Sequence, residues 1–344
     1  MADTLISYRG QTVDILEWMR RIVEHPLAER YSPWFFTYYR DLTGREYMSR
    51  YLRFLRKFVA LYPGGVAGRK VLDAGCGFGI MATLVALLGA QEVHGLDCHQ
   101  GMIDTFRTYL EILPERLPVY PRLGDVAAMP YADASFDLVL SHEAISHYRD
   151  GDAFLAEAWR VLRPGGALLL SDSNNARNRR VVRETWEIWR AFEQGPAGAE
   201  VHGHKIETPF VAQRAAIIAG EFPKLMPQEV NRLAQETAGL WGAELREAVE
   251  RYLRMGTWPN RPYRQGECPV DPVQGYYIER LLDPYALKRR LQELGFRVAL
   301  RAYLGGARGG WVARANDVLT WPPLTPLVLP WARSFRILAL KAAG

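Results

Sequence analysis

A chain of 344 residues, 49% of them hydrophobic, can bury one large core or two modest ones. Its charged fraction of 24% is ordinary for a soluble globular protein, and the formal charge of +5 comes from scattered basic residues, so composition offers no nucleic-acid footprint. The three cysteines, Cys76, Cys98 and Cys268, form no C-x-x-C pair, which argues against a zinc site and a disulfide framework. Asp3 stands where a basic-then-apolar leader would begin, and no apolar run is long enough to span a bilayer, so a cytoplasmic location is expected.

In chain order, residues from about Thr4 to Glu29 read as helix, with Ile15, Leu16, Met19, Ile22 and Val23 on one apolar face and Pro26 at its end. The aromatic stretch Tyr31 to Tyr39 follows, suited to packing helices onto a sheet or to walling a pocket. A helix from about Arg45 to Leu61 leads through Pro63-Gly64-Gly65 into a buried strand ending Val71-Leu72. Then come a glycine turn, a helix over Met81–Leu88, and strands at Glu92–Asp97, Pro118–Leu123, Phe136–Leu140 and Ala167–Leu170. Asp150 caps the helix that runs to Leu162, and Pro164-Gly165-Gly166 stops it. This β–α alternation implies a parallel sheet with helices on both faces.

The stretch from Ser173 to Asp283 is far longer than an ordinary connection. It reads as helix to Phe192, a Gly/Pro/Ala-rich break over Gln194–Val201, helices at Val211–Ala219 and Pro227–Met255, and a Pro/Gly-rich segment over Trp258–Gly275. It is expected to cap the carboxyl edge of the sheet, with an oligomerisation arm as the alternative. Pro284–Leu294 returns as a core helix, Gly295–Tyr303 as a strand by alternation, and Phe335–Lys341 as a final antiparallel strand. The Trp321–Trp331 segment between them is rich in proline and tryptophan, suited to a packed loop or to a membrane interface. The expected divisions are therefore 1–64 N-terminal helical and aromatic, 65–173 core, 174–283 insertion, and 284–344 the rest of the core.

Function is written in the glycine turn, Asp73-Ala74-Gly75-Cys76-Gly77-Phe78-Gly79. A strand, a glycine turn and a helix N-terminus make a nucleotide-binding device, although glycine turns also serve as plain connections. The spacing is G-x-G-x-G, shorter than the dinucleotide G-x-G-x-x-G, and suits a ligand without a pyrophosphate, leaving Asp73 to face a cationic amine. Asp97 ends the next strand about 20 residues on, where an acid meets ribose hydroxyls. Gly124-Asp125-Val126 and Ser141-His142-Glu143 end the third and fourth strands.

The motifs VLDAGCGFG, HGLD, GDVAAMPYADASFDLVLSHEAISHY and LRPGG, in this order, resemble the core of class I S-adenosylmethionine-dependent methyltransferases. The likeness runs from about Arg69 to Asp172 and is greatest to the small-molecule branch that includes the ubiquinone/menaquinone enzymes. It implies a doubly wound, mostly parallel seven-stranded α/β sheet and S-adenosylmethionine as cofactor. It also implies roles residue by residue. Asp73 and the backbone at Gly75, Cys76 and Gly77 hold the methionine end, and Gly79 allows close approach. Asp97 takes the ribose, Cys98 and Met102 border the adenine, and Asp125 and the Val126 backbone N–H meet its ring. The Ser141 carbonyl receives the ammonium. As small fillers, Cys76 and Cys98 also suit their motifs.

Methyl transfer from a sulfonium needs alignment and water exclusion, and a base only where the acceptor must lose a proton. His142 and His147 are the candidate catalytic residues, because imidazole titrates near neutral pH; a packing role for His147 stands beside that. His202 and His204 lack a nameable third metal ligand, so no metal is assigned. The expected function is methylation of a small or medium-sized, partly apolar acceptor, quinone- or lipid-like among the options. Peripheral membrane contact and homo-oligomerisation through the insertion are left open. The alternatives are a cofactor-binding assembly module and a nicotinamide-dependent oxidoreductase, the latter disfavoured by the glycine spacing.

Overall fold

The computed structural model describes residues 4–304 and 318–343; Asp3 lies outside the described residues. In chain order the elements are β1 (Leu5–Tyr8), β2 (Gln11–Asp14), α1 (Ile15–Glu24), α2 (Pro33–Tyr38), α3 (Arg45–Val59), β3 (Lys70–Ala74), α4 (Ile80–Leu87), β4 (Glu92–Asp97), α5 (Gln100–Ile112), β5 (Val119–Leu123), β6 (Phe136–His142), α6 (Gly151–Val161) and β7 (Leu162–Asp172). There follow α7 (Arg179–Gln194), β8 (Glu200–Val201), β9 (His204–Lys205), α8 (Phe210–Glu221), α9 (Pro227–Gln235), α10 (Gly242–Met255), α11 (Pro284–Glu293), β10 (Phe296–Tyr303) and β11 (Ser334–Lys341).

The chain forms two compact units. One comprises residues 1–145, 150–173 and 284–344; the other comprises 146–149 and 174–283. The first is built on a seven-stranded sheet in the order β10-β11-β7-β6-β3-β4-β5. β5, β4, β3, β6 and β7 are mutually parallel, and β11 runs antiparallel to both β7 and β10. The chain leaves β3 to one side for β4 and later returns to its other side with β6. The strand order thus reverses at β3, the place where open α/β sheets bind ligands beyond their carboxyl ends. Val71, Leu72, Leu138, Val139, Leu140, Leu168 and Leu169 are fully buried, as strands covered on both faces must be.

Four expectations are corrected here. The N-terminus opens not with helix but with the β1–β2 hairpin, in which Ile6 pairs Val13 and Tyr8 pairs Gln11. Arg9 and Gly10 both have positive φ, 50° and 79°, as a two-residue primed turn requires, and helix begins only at Ile15 behind the Asp14 cap. Pro164-Gly165-Gly166 lies inside β7; the helix ends at Val161, three residues earlier than proline would require. β6 continues through Ser141 and His142, placing both on the sheet itself. The Pro227–Met255 stretch is two helices, broken where Gly239 takes a φ of 75°.

The second unit has its own apolar centre, including Ile218, Val230, Leu233, Ala234, Leu245 and Val249. Beside it the fully buried Arg214 donates to Glu193 and, at 2.9 Å, to the Ala234 carbonyl. A buried ion pair adds little net stability while whole, but losing one partner strands a charge. Glu193→Ala should therefore destabilise this unit by about 3–5 kcal/mol. Chemical denaturation followed by limited proteolysis checks it, with early cleavage between residues 179 and 255 as the expected outcome.

Candidate cofactor site

The turn after β3 is tied down from β4. The Gly75 and Cys76 amides donate to the Leu96 carbonyl at 2.8 and 3.1 Å. One oxygen of Asp97 accepts the Gly77 amide at 2.8 Å and the other accepts the His99 amide at 2.9 Å. Gly75, Gly77 and Gly79 all have positive φ, 70°, 53° and 72°. Gly79 also has a packing reason, beside the expected close approach of a ligand. A Cβ there would lie 2.0 Å from Cε1 of Phe106, so the ring of an α5 residue already fills the space. Gly79→Ala combines that clash with an unfavourable φ and should cost about 3 kcal/mol or more, read from denaturant midpoints.

Asp73 sits at the end of β3 and is 3% exposed. Its Oδ2 is buried without a hydrogen-bond partner. Burial, and then the Asp97 carboxylate, push its pKa up to about 7, against the pull of the Ala82 amide in the first turn of α4. Among the described residues no cation is a cause of its shift. A buried acid left half-satisfied at a glycine turn fits a ligand that brings its own ammonium group, and this matches the methionine end of S-adenosylmethionine. Asp97, at the neighbouring strand end, keeps acceptor capacity beyond its two amide bonds, since each carboxylate oxygen has two lone pairs.

The remaining expected residues divide. Cys76 is buried, but Cys98 is exposed and so is no apolar filler. Met102 brings its sulfur within 3.8 Å of a Cβ position at Gly77, beside the turn. Asp125 is exposed, and its Oδ1 accepts the Ala127 amide at 2.8 Å, while Val126 is buried. The Ser141 side chain is fully buried. His142 packs against Phe54 with ring centroids 4.4 Å apart, and its Nδ1 makes no hydrogen bond. Burial, and then the nearby Arg336 guanidinium, lower its pKa to about 3, with the Ser171 carbonyl pulling the other way; the imidazole is neutral and weakly basic. Glu143, next in sequence, holds a left-handed φ of 49° and accepts from the Ser173 amide at 3.1 Å and from its hydroxyl. His147 belongs to the second unit, where its Nδ1 lies 3.1 Å from the Tyr277 carbonyl.

Two features escape sequence reading. His99 lies 3.5 Å from Asp97; burial disfavours its charge, but hydrogen bonding to Asp97 and to Cys98 outweighs that and raises its pKa to about 10. The aromatic residues of α2 and its C-terminus pack onto the turn through Phe78, with centroids 5.3 Å from Phe35, 6.3 Å from Tyr38 and 6.0 Å from Tyr39. The composition of the stretch was visible in the sequence, but not its contact with the glycine turn.

Residues 72–170 match the family described as a methyltransferase domain. The chain is 36% identical over 217 residues to the malonyl-[acyl-carrier protein] O-methyltransferase of Serratia marcescens, covering 61% of this chain and 80% of that relative. It is 40% identical over 112 residues to a Mycolicibacterium smegmatis protein named "Probable S-adenosylmethionine-dependent methyltransferase", and 38% over 108 residues to methyltransferase GfsG of Streptomyces halstedii. Each of these two covers 31% of this chain, which spans about two fifths of their length, 39% and 38%. Glycine turn, strand-end acids, sheet order and kinship agree: the chain belongs to the class I S-adenosylmethionine-dependent methyltransferases. Among the described residues no helix is long and apolar enough to cross a membrane.

The sign of the Asp73 shift has a stability consequence. Its folded pKa of about 7 lies above the ordinary 3.8, so its contribution is full below about pH 4 and is lost as pH rises through 7. The loss amounts to about 4 kcal/mol as an upper bound. Asp73→Asn should remove this slope and raise the melting temperature of the ligand-free protein at about pH 8. Thermal melts of both proteins between about pH 5 and 8 check it.

Proposed function

We propose that the protein transfers the methyl group of S-adenosylmethionine to a small or medium-sized, partly apolar acceptor. The observation that carries this reading is the buried Asp73, with an oxygen left for a cationic amine next to a glycine turn that Asp97 holds open. In it, Asp73 binds the ammonium with the Ser141 carbonyl, the turn from Gly75 to Gly79 lines the methionine end, and Asp97 takes the ribose hydroxyls. Cys98, Met102, Asp125 and the Val126 N–H border the adenine. When bound, the cofactor supplies a methyl group activated by the positive charge on its sulfur.

The chain's own task is then to orient an acceptor and keep water out. The face of α3 that carries Tyr51 and Phe54 supplies an apolar surface, with His142 against Phe54. A neutral His142 accepts a hydrogen bond from an acceptor hydroxyl or amine, and thereby positions it. As a base it is weak, so it orients more than it deprotonates. The Serratia marcescens relative is named for O-methylation of malonyl-[acyl-carrier protein]; malonyl groups accordingly join phenols and quinols among the acceptors to try.

The experiment is calorimetric titration with S-adenosylmethionine, S-adenosylhomocysteine and NADH, followed by transfer of a labelled methyl group to an acceptor panel. Saturable binding of the two sulfur ligands alone, with labelled product, is expected. Absence of binding by folded, ligand-free protein would sink the reading. Affinity should rise with pH up to about 7 and then level, because binding the ammonium requires the Asp73 carboxylate and releases its proton. Asp73→Asn should flatten that profile while weakening binding about 100-fold, as loss of a buried charge-assisted contact does.

A further inference from the structure

Four neighbouring strands change character at one step. Leu140 of β6, Leu169 of β7, Leu338 of β11 and Ala299 of β10 stand side by side in register. Residues paired in this way lie on one face of a sheet. Leu140 and Leu169 are fully buried, and Leu338 packs on the same core. The next row on that face, toward the carboxyl ends of the parallel strands, reads His142, Ser171, Arg336 and Arg301. Packing alone would be served by continuing the leucines. The chain instead places a charge at the ligand end of the sheet, and buries it: Arg336 is 6% exposed.

Aromatic rings hold that charge in one orientation. The guanidinium carbon of Arg336 lies 3.7 Å from the ring centroid of Tyr303 and 4.8 Å from that of Phe54. The Phe54 ring also meets His142 at 4.4 Å, and all three rings are partly exposed. A guanidinium lying over rings keeps its edges, where the N–H donors form a planar fork that matches a carboxylate. Beside it stands the neutral His142, so the cluster pairs one cation with an uncharged imidazole. Glu143 brings a carboxylate 3.9 Å from His142 Nδ1, but that group accepts from the Ser173 amide and hydroxyl. Resting on the methyl-transfer reading above, we propose that the acceptor is an aromatic or apolar acid whose carboxylate is held by Arg336. Its apolar body lies along the partly exposed rings of α3. Arg336 is then a specificity residue, which selects an acceptor by its charge.

Calorimetry of the full chain with S-adenosylhomocysteine comes first. Failure to bind would remove the methyl-transfer reading, and this assignment with it. The complex is then titrated with the three hydroxybenzoate isomers, each beside its primary amide, which has the same body without the charge. At least one acid should bind about 10- to 100-fold more tightly than its amide, the size of hydrogen bonds to a charged group. Arg336→Met should erase that difference, and Arg336→Lys should keep only part of it, having charge without the fork. Binding of S-adenosylhomocysteine reports that each variant is folded; should Arg336→Met fail there, Arg336→Lys decides alone. Equal affinity for acids and amides, or no acid bound by the unaltered complex, would overturn the assignment. So would an acid preference left whole in the folded variants, which would confine Arg336 to packing.

Discussion

The ring of Phe106 occupies space that two absent side chains would need. A Cβ at Gly79 would come within 2.0 Å of it, and one at Gly95 within 2.7 Å. α5 therefore seats directly on the glycine turn and on β4, and the close approach of these three parts lets Asp97 reach the Gly77 amide. A turn fixed from beneath by packing, and from the side by a carboxylate, has its remaining polar groups aimed outward before any ligand arrives. Pre-organisation of this kind reduces the ordering cost of binding.

The same region pays for readiness with a destabilised acid. Asp73 is buried beside the Asp97 carboxylate, and both burial and that neighbour oppose its charge. Stability is given up at a ligand site and recovered in the broad core beneath it, where Leu72, Leu84, Val93 and Phe106 are fully buried. His142 shows the converse at the next strand end. Burial, and then Arg336, keep it neutral, so a side chain that ordinarily titrates near neutral pH is held out of that range.

Much of the sheet was legible because buried parallel strands are short apolar runs between glycines and polar strand ends. Glu92–Asp97 shows this; its limits in the structure are those read from the sequence. The N-terminal hairpin was not legible, because its strands are only four residues each and abut the strong helical period of Ile15 to Val23. At the site, the positions of Asp73 and Asp97 at neighbouring strand ends could be read, but not their electrostatics. The charge that depresses His142 comes from Arg336, on the final strand, and no local pattern links them. Likewise one reason for Gly79 is Phe106 on α5, which a motif spelled in glycines does not mention.

The position of β11 has a consequence for how the molecule is made. It lies between β7 and β10, with Phe335 to Leu340 paired to Asp172 to Ala167, and Lys341 reaches the Trp159 and Leu162 carbonyls at 2.6 and 2.7 Å. All of the second unit except residues 146–149 is encoded between β7 and this partner. During synthesis the flank of β7 must therefore wait, its backbone donors and acceptors unmet, until β11 emerges. An open strand edge of that apolar character is a template for pairing with another chain. The methyltransferase core is thus complete in its ligand-facing motifs long before it is closed as a sheet, and its most exposed moment falls between those two events.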